Sequence, residues 1–123
     1  METNTKKKLV LELPLPPSVN KYLIWAPNLH RFIHSKDARE YLDVNSLLVK
    51  LFCKKNKIKP IDCYKEIDLF FYLPRSNSDS HNYLKLIFDC LQRGGLFSDD
   101  RYIMNCTKEI KIDSKCPRVL IEI

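Results

Sequence analysis

Carboxylates gather in one short stretch of the chain, which contains Asp79, Asp89 and the adjacent pair Asp99 and Asp100, together with Lys85. Carboxylate oxygens suit Mg²⁺, a small, hard ion that keeps several waters for phosphate chemistry. Two such ions about 3.5 to 4 Å apart activate a water and stabilise the leaving oxygen of a phosphodiester. A nearby lysine can neutralise the charge that develops on the phosphate. This stretch therefore indicates metal-dependent hydrolysis of a phosphodiester.

An amphipathic helix is expected to position these groups. Apolar residues recur at three- and four-residue spacing from Ser80 to Arg93, and they are Leu84, Ile87, Phe88 and Leu91. This pattern predicts a helix that Asp79 or Ser80 caps and that the Gly94–Gly95 pair ends. The polar side chains on a second face are Asp79, Asn82, Lys85 and Asp89. We expect the following turn to return Asp99 and Asp100 to a position beside Asp79.

Each of these residues also has an ordinary structural role open to it. Asp79 can serve as a helix cap, and Lys85 with Asp89 can form a surface ion pair one helical turn apart. Asp99 and Asp100 can form a polar turn. Taken singly, each residue fits the structural role; the combination and order of the residues favour a functional site.

The ordered motifs resemble the RusA family of Holliday-junction resolvases. The matching residues of the central motif are Asp79, Asn82, Lys85, Asp89, Leu91, Gly95, Asp99 and Asp100. The segments PLPPSVNK at 14–21 and HSKDAREY at 34–41 look like the opening motif and the first helix of the family, so the resemblance spans nearly the whole chain. It implies a phage- or prophage-type endonuclease that uses Mg²⁺, with Mn²⁺ also possible, to resolve four-way DNA junctions in recombination and repair, and that acts as a homodimer.

The resemblance also implies roles for individual residues. The implied metal ligands are Asp79, His81, Asp99 and Asp100. The implied catalytic residues are Asp79, His81, Lys85 and Asp100, with Lys85 holding the scissile phosphate. We expect contacts to DNA from Asn20, Lys21, Arg31, Arg75, Asn82, Lys85 and Lys108.

His81 departs from the family pattern, which has a second aspartate at this position. Imidazole can ligate a metal, but it suits manganese or other transition ions better than magnesium and adds no negative charge. Three interpretations follow. His81 is a substitute ligand or base, or it indicates a weakened and metal-selective enzyme, or it indicates a junction-binding or regulatory protein that no longer cuts. It can also simply point to solvent from the first helical turn. A module that binds only protein is a third function class.

The composition fits a single soluble domain that binds a polyanion. The chain has 123 residues, 45% of them hydrophobic, and 21 Lys and Arg against 15 Asp and Glu. We expect one domain over residues 1–123, with a flexible tail at 1–7. No signal peptide or membrane span is evident, so we expect a cytoplasmic protein that associates with the nucleoid during recombination. The five widely spaced cysteines are expected to be reduced thiols, most of them packing residues.

The periodicities predict an α/β fold: a single domain with a mixed β-sheet of about four strands and two main helices packed against it. We expect strands at 8–13, 63–73, 102–112 and 118–123, and helices at 35–54 and 80–93, in the order β, α, β, α, β, β. The residues predicted to form the apolar stripe of the first helix are Ala38, Tyr41, Val44, Leu42, Leu47, Leu48, Leu51 and Phe52. Residues 18–34 are expected to form a loop in which Trp25 covers the edge of the core, or in which basic and aromatic side chains follow a sugar-phosphate backbone and stack on unpaired bases.

Overall fold

The strands and helices of the chain are arranged around one main sheet. The structure, a computed structural model, describes residues 9–18 and 23–123. In chain order the strands and helices are β1 (Val10–Pro14), β2 (Leu23–Ala26), β3 (Arg31–His34), α1 (Lys36–Lys55), β4 (Lys65–Leu73), α2 (His81–Arg93), a 3-10 helix (Asp100–Tyr102), β5 (Ile103–Ile112) and β6 (Arg118–Glu122). The predicted strands and helices are all present to within about two residues at each described end.

The main sheet has four strands in the order β1-β6-β4-β5. β4 pairs with β5 in parallel and with β6 in antiparallel orientation, so the sheet is mixed, as predicted. The alternate residues of β4 that face the helices are fully buried or nearly so: Ile67, Leu69, Phe71 and Leu73. Because successive side chains of a strand point to opposite faces, this period-two pattern places β4 at the centre of the core. The α/β fold class is confirmed.

Both helices run antiparallel to β4 along the same side of the sheet. Near the start of α1, the Tyr41 hydroxyl donates a hydrogen bond to the Pro14 carbonyl at 2.7 Å. Pro14 lies opposite Arg118, which lies opposite Tyr72 near the end of β4. Just beyond the end of α1, the Ile61 amide donates to the Leu96 carbonyl, which follows the end of α2, at 2.9 Å. The two helices therefore run parallel to each other.

The caps of the two helices differ. Ser35 caps α1 as predicted, since its hydroxyl accepts a hydrogen bond from the Ala38 amide at 3.2 Å. Ser80 precedes α2 but makes no side-chain cap bond. Asp79 accepts instead from the amide of His81 at 3.0 Å. Of the two predicted caps, Asp79 is the one that satisfies an amide at the start of α2.

The prediction that residues 18–34 form a loop is wrong for 23–34. β2 and β3 form an antiparallel hairpin in which Trp25 lies opposite Phe32. Their rings meet edge to face with centroids 5.3 Å apart. Trp25 is 51% exposed, so its predicted role as a cover of the core is also wrong. A cross-strand aromatic pair can stabilise a hairpin without contact to the core. Strands of only four residues are too short for their periodicity to predict this hairpin.

The predicted apolar stripe of α1 is only partly buried. Ala38, Tyr41 and Leu42 lie in the core, and Phe52 packs against it. The prediction is wrong for four residues that are exposed: Val44, Leu47, Leu48 and Leu51. The residues that α1 buries in their place are Asn45, Ser46, Val49 and Cys53. The physical reason is a close helix crossing, where Gly94 at the end of α2 leaves room only for small side chains on α1.

The cysteines are all free thiols, as predicted. Cys53 and Cys90 are buried, and burial raises the pKa of both, that of Cys90 to about 12, because the charged thiolate is poorly solvated in the core. The packing role is confirmed for these two and is wrong for Cys63 and Cys116, which are exposed. Among the described helices, none combines the length and hydropathy needed to cross a membrane.

Candidate functional site

An open cleft lies at the edge of the sheet where β4 ends. Its volume is about 490 Å³, and its walls come from residues 15–18 after β1, from the loop after β4 and from the first turn of α2. The lining includes three of the predicted site residues, Arg75, Asp79 and Asn82, together with Tyr83. The structure thus brings one carboxylate and one amide of the central motif together with the Arg75 cation, which precedes that motif. Residues 15–18 of the proline-rich opening segment line the same cleft, a contact that the sequence did not predict.

Asp79 and His81 form an adjacent pair at the start of α2. Oδ1 of Asp79 accepts a hydrogen bond from the His81 amide and lies 3.4 Å from the His81 Nδ1. Both side chains are well exposed. The tight turn at the start of the helix holds the carboxylate and the imidazole side by side. A carboxylate oxygen and an imidazole nitrogen in this position can bind one divalent cation together.

Lys85 lies one helical turn beyond His81 and faces solvent. Its Nζ is 3.2 Å from Oδ1 of Asp89, four residues further along α2. The surface pair that the spacing allowed is therefore present. This pairing positions the ammonium group on the outer face of α2, although Lys85 does not line the cleft.

Asp99 and Asp100 lie in a separate turn that leads into β5. Asp99 caps the 3-10 helix, because its Oδ1 accepts from the Arg101 amide at 3.0 Å. Asp100 is exposed. The guanidinium of Arg101 lies 4.8 Å from the ring centroid of Tyr102, on which Tyr64 packs edge to face. Arg101 is a cation beside the acid pair that was not among the predicted site residues, although its position directly after the pair was a signal.

The topology separates Asp79 from the acid pair. α2 begins after the end of β4 and returns the chain to the start of β5, which is parallel to β4. A helix of 13 residues spans about 20 Å. The prediction that Asp99 and Asp100 fold back beside Asp79 is therefore wrong within one protomer: the two groups lie at opposite ends of α2. In the range 9–18 and 23–123, no group of three or more His, Cys, Asp or Glu residues could hold a metal ion.

Each end of α2 carries only part of the predicted set of metal ligands. Asp79 with His81 offers two donor groups at one end, and Asp99 with Asp100 offers two at the other. A divalent cation in phosphate chemistry is held by carboxylates together with waters and phosphate oxygens. These donor types suit such an ion. The four predicted ligands can bind one ion together only if an Asp79 end of α2 and an Asp100 end of α2 come close to each other.

The remaining predicted DNA contacts are dispersed over the surface. Arg31 begins β3 and is exposed. Lys108 lies on β5 at a shift in the register with β4, and its Nζ is 3.8 Å from Glu66 and 4.0 Å from Asp68. Those acids offset its charge, which makes it a weaker candidate for a phosphate contact. Asn20 and Lys21 lie outside the described residues.

Comparison with known protein families gives a match over most of the chain. A family model described as endodeoxyribonuclease RusA matches residues 14–123, which include the cleft, α2 and the acid pair. No curated protein matches the chain.

Proposed function

Because the chain belongs to the RusA endodeoxyribonuclease family, we propose that it resolves four-way DNA junctions by metal-dependent hydrolysis of phosphodiester bonds. The observation that supports this proposal best is the exposed Asp79–His81 pair at the start of α2, beside a cleft that also contains Arg75 and Asn82. Family membership supports an endodeoxyribonuclease that acts on branched DNA. The metal, the roles of single residues and the dimer are the parts that we propose.

The cleft and the hairpin supply the contacts to DNA in this proposal. Arg75 binds a backbone phosphate at the cleft, and Asn82 donates from the first turn of α2. Arg31 follows the backbone along the hairpin. The exposed rings of Trp25 and Phe32 offer π-faces on which unpaired bases at a branch point can stack, a contact that tolerates any base. The net charge of +6 adds a general attraction to the phosphates.

The metal ligands in this proposal are Asp79 and Asp100, assisted by His81 and Asp99. When bound there, Mg²⁺ or Mn²⁺ supplies an activated water and stabilises the leaving oxygen of the phosphodiester. His81 shifts the preference toward Mn²⁺, because imidazole is a better ligand for transition ions. Lys85 holds the scissile phosphate from the outer face of α2.

Two protomers are needed to gather these ligands, since Asp79 and Asp100 lie at opposite ends of α2 in one. We therefore propose a two-fold homodimer in which the Asp79 end of α2 in one protomer lies near the Asp100 end in its partner. Such a dimer has two identical sites, which matches the approximate two-fold symmetry of a four-way junction and allows opposed strands to be cut. The proposed reaction belongs in the cytoplasm at the nucleoid, where branched DNA arises.

The test of the acid assignment is Asp100→Asn. We expect cleavage of a synthetic four-way junction to fall by at least about 100-fold with either Mg²⁺ or Mn²⁺, the upper end of the effect of losing even an outer-shell partner of a metal, while junction binding is retained. Glu12→Gln, at an exposed position on β1, is the control and should cut like the parent. Equal cutting by Asp100→Asn and the parent would show that the acid assignment is wrong.

A second candidate function is junction binding without cleavage, and the histidine at position 81 favours it. His81→Asp separates the two. A large gain in cutting from an inactive parent indicates a nuclease that lost its activity, whereas no gain from an active parent indicates that the histidine is a working ligand. A module that binds only protein would show no tight, salt-sensitive binding to the junction.

A further inference from the structure

α1 presents an apolar stripe to solvent while it buries polar side chains. The stripe consists of Val44, Leu47, Leu48 and Leu51, which are between 44% and 62% exposed. Their spacing of three and four residues places them on one face of the helix. The opposite face buries Asn45 and Ser46. Apolar surface concentrated in this way on a soluble protein marks an interaction site.

The stripe cannot turn into the core of its own protomer. The Tyr41 hydroxyl anchors the start of α1 to Pro14 at 2.7 Å. Further along, Ser46 and Val49 pack tightly against Gly94 of the α2 end. The Asn45 side chain donates to the Tyr41 carbonyl within the buried face at 3.0 Å. These contacts fix the rotation of α1, so the stripe has to be covered from outside the protomer.

The charges at the two ends of the stripe select the partner. Glu40 lies one turn before Val44, whereas Lys54 and Lys55 lie one turn after Leu51. The ion pair of Glu40 with Lys36 is long, at 3.8 Å, and both side chains are exposed, so Glu40 can exchange this contact at little cost. The first turns of α1 also carry Lys36, Asp37 and Arg39, so the start of the stripe is close to neutral and its end is basic. A reversed copy keeps the two basic ends apart and brings Glu40 to the basic end of its partner.

We propose that α1 is the dimer interface and that it packs antiparallel against the α1 helix of a second copy, with the two-fold axis passing between Leu47 and Leu48. In this register Leu47 packs on the partner's Leu48, and Val44 packs on the partner's Leu51. Glu40 then pairs with the partner's Lys55. A parallel arrangement would place like charges at each end of the stripe together.

This inference rests on the dimer of the proposed function and names its surface. Because α1 and α2 run parallel within a protomer, reversing α1 also reverses α2 in the partner. The Asp79 end of one protomer then lies at the same end of the dimer as the Asp100 end of the other. The direction of packing is therefore the one that the proposed metal site requires.

The first test is the oligomeric state of the full chain by sedimentation equilibrium. We expect a dimer for the parent and a dissociation constant raised at least about tenfold by Leu47→Glu, since a charge at the centre of a desolvated interface disrupts it. Ile110→Glu, at an exposed apolar position on β5 far from α1 in the chain, is the matched control and should remain dimeric. Circular dichroism should be unchanged for both variants, because both positions are exposed in the protomer.

The second test is a charge exchange. Glu40→Lys and Lys55→Glu should each weaken the dimer, and the two changes in one chain should restore it, because each restored pair again joins opposite charges. A monomeric parent at the highest soluble concentration, or a dimer that Leu47→Glu leaves intact, would overturn the proposed surface. Loss of cutting in Asp100→Asn combined with an intact Leu47→Glu dimer would support the nuclease and contradict this surface. Unchanged cutting in Asp100→Asn combined with a weakened Leu47→Glu dimer would support this surface and contradict the acid assignment.

Discussion

His81 is the residue that most affects how the proposed site works. Its imidazole lies 3.4 Å from the carboxylate of Asp79, at the position where the resemblance to the family predicts a second aspartate. An aspartate there would add a negative charge and a hard oxygen ligand, both of which favour Mg²⁺. Histidine keeps a donor atom but changes its type. The expected consequence is a changed metal preference rather than a changed fold, because the side chain is exposed.

Asp113 organises the turn between β5 and β6. Its Oδ2 accepts from Arg118 Nη1 at 2.9 Å, and its Oδ1 accepts from the amides of Lys115 and Cys116 at 3.2 Å each. The hydrogen bond from Arg118, followed by that from the Cys116 amide, lowers the pKa of the Asp113 carboxyl from its usual 3.8. All three bonds favour the ionised form. The turn that starts β6 therefore depends on the charge of this carboxylate.

This shift predicts a pH-dependent loss of stability in Asp113→Asn. A carboxyl whose pKa is lower in the folded state stabilises the protein above the pKa of the unfolded chain and loses this effect as pH falls through the folded pKa. We expect the parent to be more stable than Asp113→Asn at neutral pH, and the difference to shrink once pH falls below 3.8. Urea unfolding at a series of pH values measures it. In an Arg118→Gln background the difference should be smaller at neutral pH; an equal difference would contradict the assigned cause.

The contact between α1 and α2 depends on a glycine at the end of α2. A Cβ at Gly94 would clash with the side chain of Val49 and lie 2.9 Å from the carbonyl oxygen of Ser46. Gly95 differs, because it has open space around it but a φ of +90°. One glycine permits a close helix crossing, and the other permits the turn that follows. This crossing determines which face of α1 is buried and so leaves the apolar stripe outside.

We expect Gly94→Ala to destabilise the fold by about 1 to 3 kcal/mol, the usual range for overpacking. Val49→Ala in the same chain should recover part of this loss, because it removes Val49 Cγ1, one of the two side-chain atoms that the new methyl group meets, and leaves only Cβ. Gly95→Ala should also destabilise, by about 1 to 2 kcal/mol from its left-handed backbone. Val49→Ala should not rescue that variant. Chemical denaturation of the four variants measures the coupling, and equal effects of Val49→Ala in both backgrounds would contradict the packing explanation.

At the scale of the whole molecule, the parallel β4-α2-β5 connection controls where the acidic groups lie. Parallel strands require the chain to return along their full length. The start of α2 therefore lies near the carboxyl ends of β4 and β5, and the end of α2 lies near their amino ends. One protomer consequently has the proposed metal ligands at two separate places. Under the proposed function, the assembly of a complete site is coupled to the association of protomers, and a folded monomer is expected to cut poorly.

The cleft arginine should contribute to junction binding through phosphate contact. We expect Arg75→Gln to weaken binding to a four-way junction and to reduce the slope of log K against log salt by about 1, the effect of losing one phosphate contact. Lys111→Gln is the matched control, because Lys111 is also an exposed cation but pairs with Glu109 at 2.8 Å on β5. Fluorescence anisotropy at several salt concentrations measures both slopes. If the slope of log K against log salt is unchanged in Arg75→Gln, Arg75 makes no phosphate contact and the cleft is not part of the DNA-binding surface.

Local patterns in the sequence determined most of the helices and strands. The period-two alternation of β4 and the helical spacing of α2 follow from backbone geometry, which does not depend on distant residues. Ser35 as a cap of α1 and the glycine pair after α2 were predictable for the same reason. The order of acids and basic residues also indicated the family, which the match over residues 14–123 confirms.

Other features were decided only by contacts between distant parts of the chain. The burial of Asn45 and Ser46 in place of Leu48 and Leu51 depends on Gly94, nearly fifty residues away, because helical spacing defines a face but not the neighbour that covers it. The hairpin at 23–34 depends on pairing between two strands too short to show a period. The separation of Asp79 from Asp100 depends on β4 and β5 being parallel, since an antiparallel return would have brought the same residues together. The sequence by itself therefore determined which groups are available for the chemistry, and the tertiary structure decided that they lie at two ends of one helix.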